Sequence, residues 1–341
     1  MKILLIMDPD IPVPPVLYGG HERLVYFFAK QYSELGHDVT VLAGPGSKTA
    51  GNTVIYGKNE NNRTKSIFTR FGEIFFVWSY LLKNSCHFDL IHNFGRLAYF
   101  LSVLNKPVNK IMTYGRHIHA ANIKKVCSLA SKNIVFTGCS NSLISQVKDI
   151  GDWHCVYNAI DFSQYELKKK VADDAPLIFL GRVEKIKGVH TAIKVALATG
   201  NKLVIAGNKA ALPHDEVYFK EQIEPYIDQK QIIYVGSVDD IKKNHYLGQA
   251  KALLFPIEIE EPFGIVMIEA MACGTPVIGF NRGSIPEVID DGVTGFVVRD
   301  LDEMVDKIRR INQIDRNRCR LTAERRFDVS VVAEQYLRLF N

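Results

Sequence analysis

A chain of 341 residues exceeds one ordinary hydrophobic core and fits two domains of about 150 residues each. Its hydrophobic share of 47% beside 23% charged residues is that of a soluble globular protein. The formal net charge of +5 is too small by itself to indicate a polyanionic partner. Six cysteines (Cys86, Cys127, Cys139, Cys155, Cys273 and Cys319) form no C-x-x-C pair, which argues against a zinc site or a disulfide framework and for a reducing cytosol. The apolar run in MKILLIMDPD is too short for a signal peptide, and Ile74 to Leu82 falls far short of a membrane span. A cytoplasmic protein that crosses no bilayer is expected.

The charge is unevenly placed. Residues 1–165 hold 17 Lys and Arg against 11 Asp and Glu, whereas residues 166–341 hold 25 against 26. No acid occurs between Asp89 and Asp149, while Arg96, Lys106, Lys110, Arg116, Lys124, Lys125, Lys132 and Lys148 all fall there. This reads either as solvated helix faces or as a basic surface meeting an anionic acceptor or the anionic inner leaflet. Nucleic acid is disfavoured as a partner, because the cations lack interleaved aromatics and any binding motif.

In chain order, Lys2 to Met7 reads as a buried strand, followed by a proline-rich loop that ends in Tyr18-Gly19-Gly20. Leu24, Phe27, Phe28 and Leu35 recur at helical spacing until Gly36, and Val39 to Ala43 is the next strand. A strand, glycine loop, helix and strand in that order form a βαβ unit, where a ligand can meet the helix start. The alternation continues with a helix over about 66–83, a strand at 90–92, a helix from about Arg96 and a strand over 110–113. Helices over about 120–131 and 141–149 flank a strand at 134–137. Such order predicts a doubly wound parallel sheet with ligands at the carboxyl ends of its strands. A charged, irregular linker over 164–176 precedes a second α/β domain that opens with the strand Leu177 to Leu180. Further strands are expected at 202–206, 232–235, 252–255 and 277–280, and a helical tail from Leu301.

The most informative stretch runs from Phe255 to Asp291. It holds Glu261 and Glu269, with Pro262 after the first and Gly274 closing the segment, so a helix from about Pro262 to Ala272 is expected. That helix is apolar nearly all round, and a carboxylate at Glu269 inside it needs a partner. Eight helical positions span roughly 12 Å. With the free N–H groups from Phe263 to Val266, the two carboxylates suit a sugar at one end and a ribose at the other.

Residues Glu261-Pro-Phe-Gly-Ile-Val-Met-Ile-Glu269-Ala-Met-Ala-Cys-Gly-Thr-Pro276, with the later PEVIDDGVTGFVV, closely resemble the E-x7-E signature of retaining family-4 glycosyltransferases. The resemblance implies the α/β GT-B fold: two Rossmann-like doubly wound parallel-sheet domains facing each other across a cleft. The expected domains are 1–163 on the acceptor side and 164–325 for the nucleotide sugar, with a final helix over 326–341 packing back on the first. Val156-Tyr-Asn158-Ala159-Ile-Asp161 is similar to the N-G-V-D segment where the family leaves its first domain, with Ala159 in place of glycine.

The resemblance also implies roles. Arg182 and Lys187, in Gly181-Arg-Val-Glu-Lys-Ile-Lys-Gly188, would hold the donor diphosphate, and positioned cations stabilise the charge that a departing diphosphate develops. Glu261 would accept hydroxyls of the transferred hexose and Glu269 those of the ribose. Gly19, Gly20 and the backbone of Phe263, Gly264, Ile265 and Val266 would lie around the phosphates and sugar, and the turn at Val238 would meet the base. The donor is expected to be a UDP- or GDP-linked sugar, with no further cofactor and no metal. Many family members carry a His two residues after a Thr at the end of the strand that here reads Ile111-Met-Thr113-Tyr-Gly115. Gly115 takes that place, and His117, with His119 behind it, is the candidate to move in.

The implied function is retaining hexosyl transfer to a sugar or lipid-linked acceptor in polysaccharide, lipopolysaccharide or glycolipid assembly. The acid-free basic stretch leaves peripheral contact with the inner face of the membrane as an option for a cytoplasmic protein. A non-catalytic nucleotide-sugar-binding subunit and a sugar-nucleotide epimerase are the alternatives.

Overall fold

The computed structural model describes residues 1–16, 19–58, 65–130, 133–209 and 212–340, and these divide into two compact units. The first is Met1–Ala159 together with Val329–Asn341, and the second is Ile160–Asp328. These limits lie a few residues from the expected boundaries at 163 and 325.

The first unit runs β1 (Lys2–Ile6), α1 (Gly20–Glu34), β2 (Asp38–Ala43), β3 (Asn52–Ile55), α2 (Ile67–Asn84), β4 (Leu90–Asn93), a 3-10 helix (Leu97–Ser102), β5 (Asn109–Tyr114), α3 (Ala120–Leu129), β6 (Ile134–Gly138), α4 (Asn141–Ile144) and β7 (Trp153–Cys155). Its parallel sheet has the order β3-β2-β1-β4-β5-β6-β7. Ile3 to Ile6 are sealed from solvent, as expected for a strand covered on both faces. Going to β2 the chain steps one way along the sheet, and from β3 onward it steps the other way. Right-handed crossovers therefore put α1 on one face and α2, the 3-10 helix, α3 and α4 on the other.

One core confirms the second group: Val77 and Leu81 of α2, Phe100, Ile123 and Val126 of α3 and Val147 pack together over Leu4, Ile91 and Met112. On the first face α1 packs against the last helix, α12 (Val329–Leu337). There Tyr336 meets Phe28 edge to face at 5.3 Å.

The second unit runs β8 (Leu177–Leu180), α5 (Val189–Thr199), β9 (Leu203–Ala206), α6 (Pro213–Gln222), β10 (Ile232–Gly236), α7 (Asp240–Gln249), β11 (Ala252–Phe255), α8 (Ile265–Ala272), β12 (Val277–Phe280), α9 (Ile285–Val288), β13 (Gly295–Val298), α10 (Leu301–Arg309) and α11 (Arg316–Phe327), ahead of α12. Its sheet is again parallel, in the order β10-β9-β8-β11-β12-β13. In both sheets the order reverses beside the first strand, between β1 and β4 and between β8 and β11. Crevices for ligands open at such switch points, beyond the carboxyl ends of the strands.

Several sequence expectations change. The helix expected from Arg96 is a short 3-10 helix, and that over 141–149 is α-helical only from Asn141 to Ile144. The helix over 120–131 ends at Leu129, with Ser131 outside the described residues. Strands β3 and β7 lie at the sheet edges and were not foreseen. Of the cations in the acid-free stretch, Lys110 is buried, its ammonium donating to the Lys106 and Val108 carbonyls at 2.7 Å each. Burial lowers its pKa to about 8. Lys132 lies outside the described residues.

Candidate functional site

In the second unit the site is built where the loops after β8 and β11 meet. Glu258 N–H donates to the Ile186 carbonyl at 3.0 Å. Gly188, in the left-handed region at φ 74°, lies so close to Pro256 that a Cβ there would collide with its carbonyl oxygen. This contact brings together two residues 74 positions apart: Lys187 Nζ donates to Glu261 Oε2 at 2.8 Å, with side chains 18% and 14% exposed. Arg182, half exposed, pairs with Glu184 at 2.5 Å. The backbone of Glu261 is fixed from the other side, where Ser284 N–H donates to its carbonyl at 2.9 Å.

The helix expected from Pro262 starts later. Gly264 adopts φ 78° and caps α8 at Ile265, while Phe263 is buried against Phe327 at 5.8 Å between rings. Positions 261–264 are therefore not helical, and the helical-rise estimate of the Glu261–Glu269 separation does not hold. The orphan N–H groups at the helix start belong to Ile265 and Val266, both half-buried. Val238 is half-buried in the turn that follows β10.

Glu269 has the partners that its burial demands. Its Oε1 accepts from Tyr165 Oη at 2.9 Å and from Lys243 Nζ at 2.5 Å. Burial works against charge on Lys243, but the Glu269 carboxylate, aided by Asp240, leaves its pKa above the ordinary value. Neither Tyr165 nor Lys243 was singled out in the sequence.

In the first unit Gly19 precedes α1, and a Cβ on it would press on Pro15 and Glu22. Gly20 opens the helix, and Tyr18 lies outside the described residues. His117 and His119 are both exposed, their rings edge to face at 5.0 Å. Gly115 is packed against a third histidine: a Cβ there would run into Nε2 of His21, from the first turn of α1. Nδ1 of His21 is buried without a hydrogen-bond partner. Burial, helped by the Arg116 charge, lowers the His21 pKa to about 4, so the ring is neutral at pH 7.

Beside it, burial raises the Asp8 and Glu22 pKa values. Asp8 accepts from Tyr99 Oη at 2.8 Å, and Asp10 pairs with the buried Lys65 at 2.5 Å, so both acids of the proline loop have structural partners. Among the described residues no three His, Cys, Asp or Glu are grouped to hold a metal ion.

Residues 164–326 match the glycosyl transferases group 1 family, and residues 18–164 match glycosyltransferase family 4. The chain belongs to these glycosyltransferases.

Over 204 residues the transferase is 30% identical to an uncharacterised 41.2 kDa protein of the cps region of Klebsiella pneumoniae, covering 54% of each chain. It is 25% identical to a glycogen synthase of Mycobacterium tuberculosis, covering 86% of this chain and 81% of that one. Among solved structures it superposes on AviGT4, a glycosyltransferase of avilamycin A biosynthesis, with a TM-score of 0.74, at 23% identity over 99% and 96% of the two chains. Anabaena HepE, solved with UDP and glucose, gives 0.73 at 19% identity over 100% and 99%. These likenesses show the GT-B fold. No helix of the transferase, among the described residues, is long and apolar enough to cross a membrane.

The transferase thus has Arg182, Lys187, Glu261 and the start of α8 around one switch point, with Glu269 in the middle of α8. His117 lies on the first unit. Tyr165, Lys243 and His21 are the additions. The first two carried one sequence signal, a buried carboxylate in need of a donor; His21 carried none beyond its place after the two glycines.

Proposed function

We propose that this chain is a retaining, metal-independent glycosyltransferase that moves a hexose from a UDP- or GDP-linked donor to a sugar or lipid-linked acceptor, in polysaccharide, lipopolysaccharide or glycolipid assembly at the inner face of the membrane. The observation that carries the reading is the Lys187–Glu261 pair beside the start of α8.

As the acceptor hydroxyl oxygen bonds to the anomeric carbon, the bond from that carbon to the diphosphate oxygen breaks. This adds one negative charge to the two the diphosphate already carries, and the leaving phosphate takes the hydroxyl proton. Lys187, Arg182 and the N–H groups of Ile265 and Val266 are placed to receive the diphosphate charge. When Lys187 turns to the diphosphate, Glu261 loses its partner and is free to accept hexose hydroxyls, so donor binding exchanges one ion pair for two ligand contacts. Glu269 keeps Oε2 for ribose hydroxyls while Lys243 and Tyr165 hold Oε1. The backbone at Gly264 and the turn at Val238 fit phosphate and base contacts, and the start of α1 behind Gly19 and Gly20 suits a phosphate.

For the first unit the sequence offers His117, with His119 behind it, and the structure adds His21 as a further candidate. The packing favours His21, because it fills the space that Gly115 leaves.

HepE binds UDP and UDP-glucose, which supports a uridine donor as the first to try. The test is a thermal-shift screen of UDP- and GDP-sugars followed by assay of slow hydrolysis without acceptor. One nucleotide sugar is expected to raise the melting temperature and to be hydrolysed. Binding without turnover across the screen would favour the non-catalytic subunit, and no binding at all would overturn the reading.

A further inference from the structure

Helix α2 is apolar on two opposite sides. Val77 and Leu81 are buried in the core of the first unit, and Glu73 on the same side pairs with the buried Lys65. On the other side Phe68, Phe71, Phe75 and Leu82 stand 84%, 63%, 68% and 57% exposed. At 3.6 residues per turn these four fall within about 60° of one another around the axis. A soluble monomer seldom leaves such a stripe to water.

The charge on the rest of this sheet face indicates what covers it. The 3-10 helix, α3 and α4 share one core with α2, and they come from the acid-free stretch. Lys106, Lys124, Lys125 and Lys148, on these elements and the turns after them, are exposed, as is Lys83 at the end of α2. The only acid of α2, Glu73, is buried. Among the described residues, the exposed charges carried by α2, the 3-10 helix, α3 and α4 themselves are all cations, and the acids Asp89 and Asp149 lie beyond the ends of these elements. A second copy seated on the stripe would set these lysines against their own equivalents, which like-charge repulsion disfavours.

We propose that this face of the first unit docks on an anionic lipid bilayer, with Phe68, Phe71, Phe75 and Leu82 entering the acyl boundary and the lysines meeting the headgroups. Either contribution alone holds a protein only marginally, and the two together hold it stably. The inference goes beyond the donor chemistry and does not depend on it.

The test is sedimentation of the full chain with phosphatidylcholine vesicles, with and without about one-third phosphatidylglycerol. The chain is expected to pellet with the anionic vesicles, less strongly at about 1 M salt, where charges are screened within about 3 Å. A Phe68→Ser, Phe71→Ser, Phe75→Ser variant is expected to lose about tenfold or more in partitioning. A Lys124→Glu, Lys125→Glu variant should lose binding chiefly at low salt. Both variants should keep the parent melting temperature and its shift by nucleotide sugar, since every changed side chain is exposed. Absent pelleting, or equal pelleting by the phenylalanine variant, would overturn the proposal. So would a dimer that the phenylalanine variant turns into a monomer while vesicles bind neither. A chain that pellets but shows no shift with any nucleotide sugar would sink the donor reading and leave the docking surface standing.

Discussion

At the carboxyl ends of β8 and β11 Glu261 meets Lys187 and Glu184 meets Arg182, and farther along α8 Glu269 shares Lys243 of α7 with Asp240. At the carboxyl ends of β1 and β5 the candidate groups are arranged differently. His21 is neutral and lacks a partner at Nδ1, Glu22 is buried with a raised pKa, and the space beside the imidazole exists because residue 115 has no side chain. The second unit thus keeps paired charge that the proposed donor would exchange, whereas beside Gly115 the first keeps a neutral imidazole held by fit. Substitutions should accordingly act through electrostatics in one and through packing in the other.

The largest effect is expected at the pair that carries the proposed function. Lys187→Ala removes one of the two cations proposed to receive the leaving group and should lower kcat/KM by about 100- to 1,000-fold, the usual cost of losing one preorganised transition-state contact. Glu261→Gln should cost a similar factor. The double variant should cost less than the two factors multiplied, because each single change leaves its partner unpaired in a half-buried site. Initial rates for the four proteins check this, and strict multiplication would show that the pair does not act as a unit.

A packing effect comes next. Gly115→Ala places a methyl where the His21 ring lies and should destabilise by about 1–3 kcal/mol, the range for overpacking. His21→Ala in the same chain should restore most of that stability without restoring activity. Urea melts of the single and double variants measure the coupling, and independent effects would mean that the two residues do not touch.

What the sequence made legible follows the same division. Gly181 to Gly188 and Glu261 to Pro276 are contiguous, and each places its chemistry at a strand end or helix start, so their local arrangement could be read directly. The start of α8 was misplaced because Pro262 is a good first helical residue, while the left-handed Gly264 and the buried Phe263 override it through tertiary packing. Lys243 and Tyr165 reach Glu269 across 26 and 104 residues, and His21 reaches Gly115 across 94. No periodicity records such approaches. The edge strands β3 and β7, of four and three residues, are too short for alternation to show.

The smallest effect is a slope with pH. Burial puts the folded pKa of His21 at about 4 and that of His92, sealed beside Thr113, at about 3, against 6.5 for an ordinary imidazole. Between about 6.5 and 4 the unfolded chain therefore binds protons that the folded rings refuse, and stability falls as pH falls. Each ring contributes at most one proton, or about 1.4 kcal/mol per pH unit. Asp8 and Glu22 act in the opposite sense: their raised folded pKa values make the folded state bind more protons above the ordinary carboxylate range, so their share of stability grows as pH falls. The total slope mixes the two signs, but the difference between the parent and His21→Asn isolates the imidazole, whose replacement cannot titrate. The variant should show the shallower loss of stability between about pH 6.5 and 4, and denaturant melts across that window with equal slopes for both proteins would mean that His21 is not held neutral by the fold.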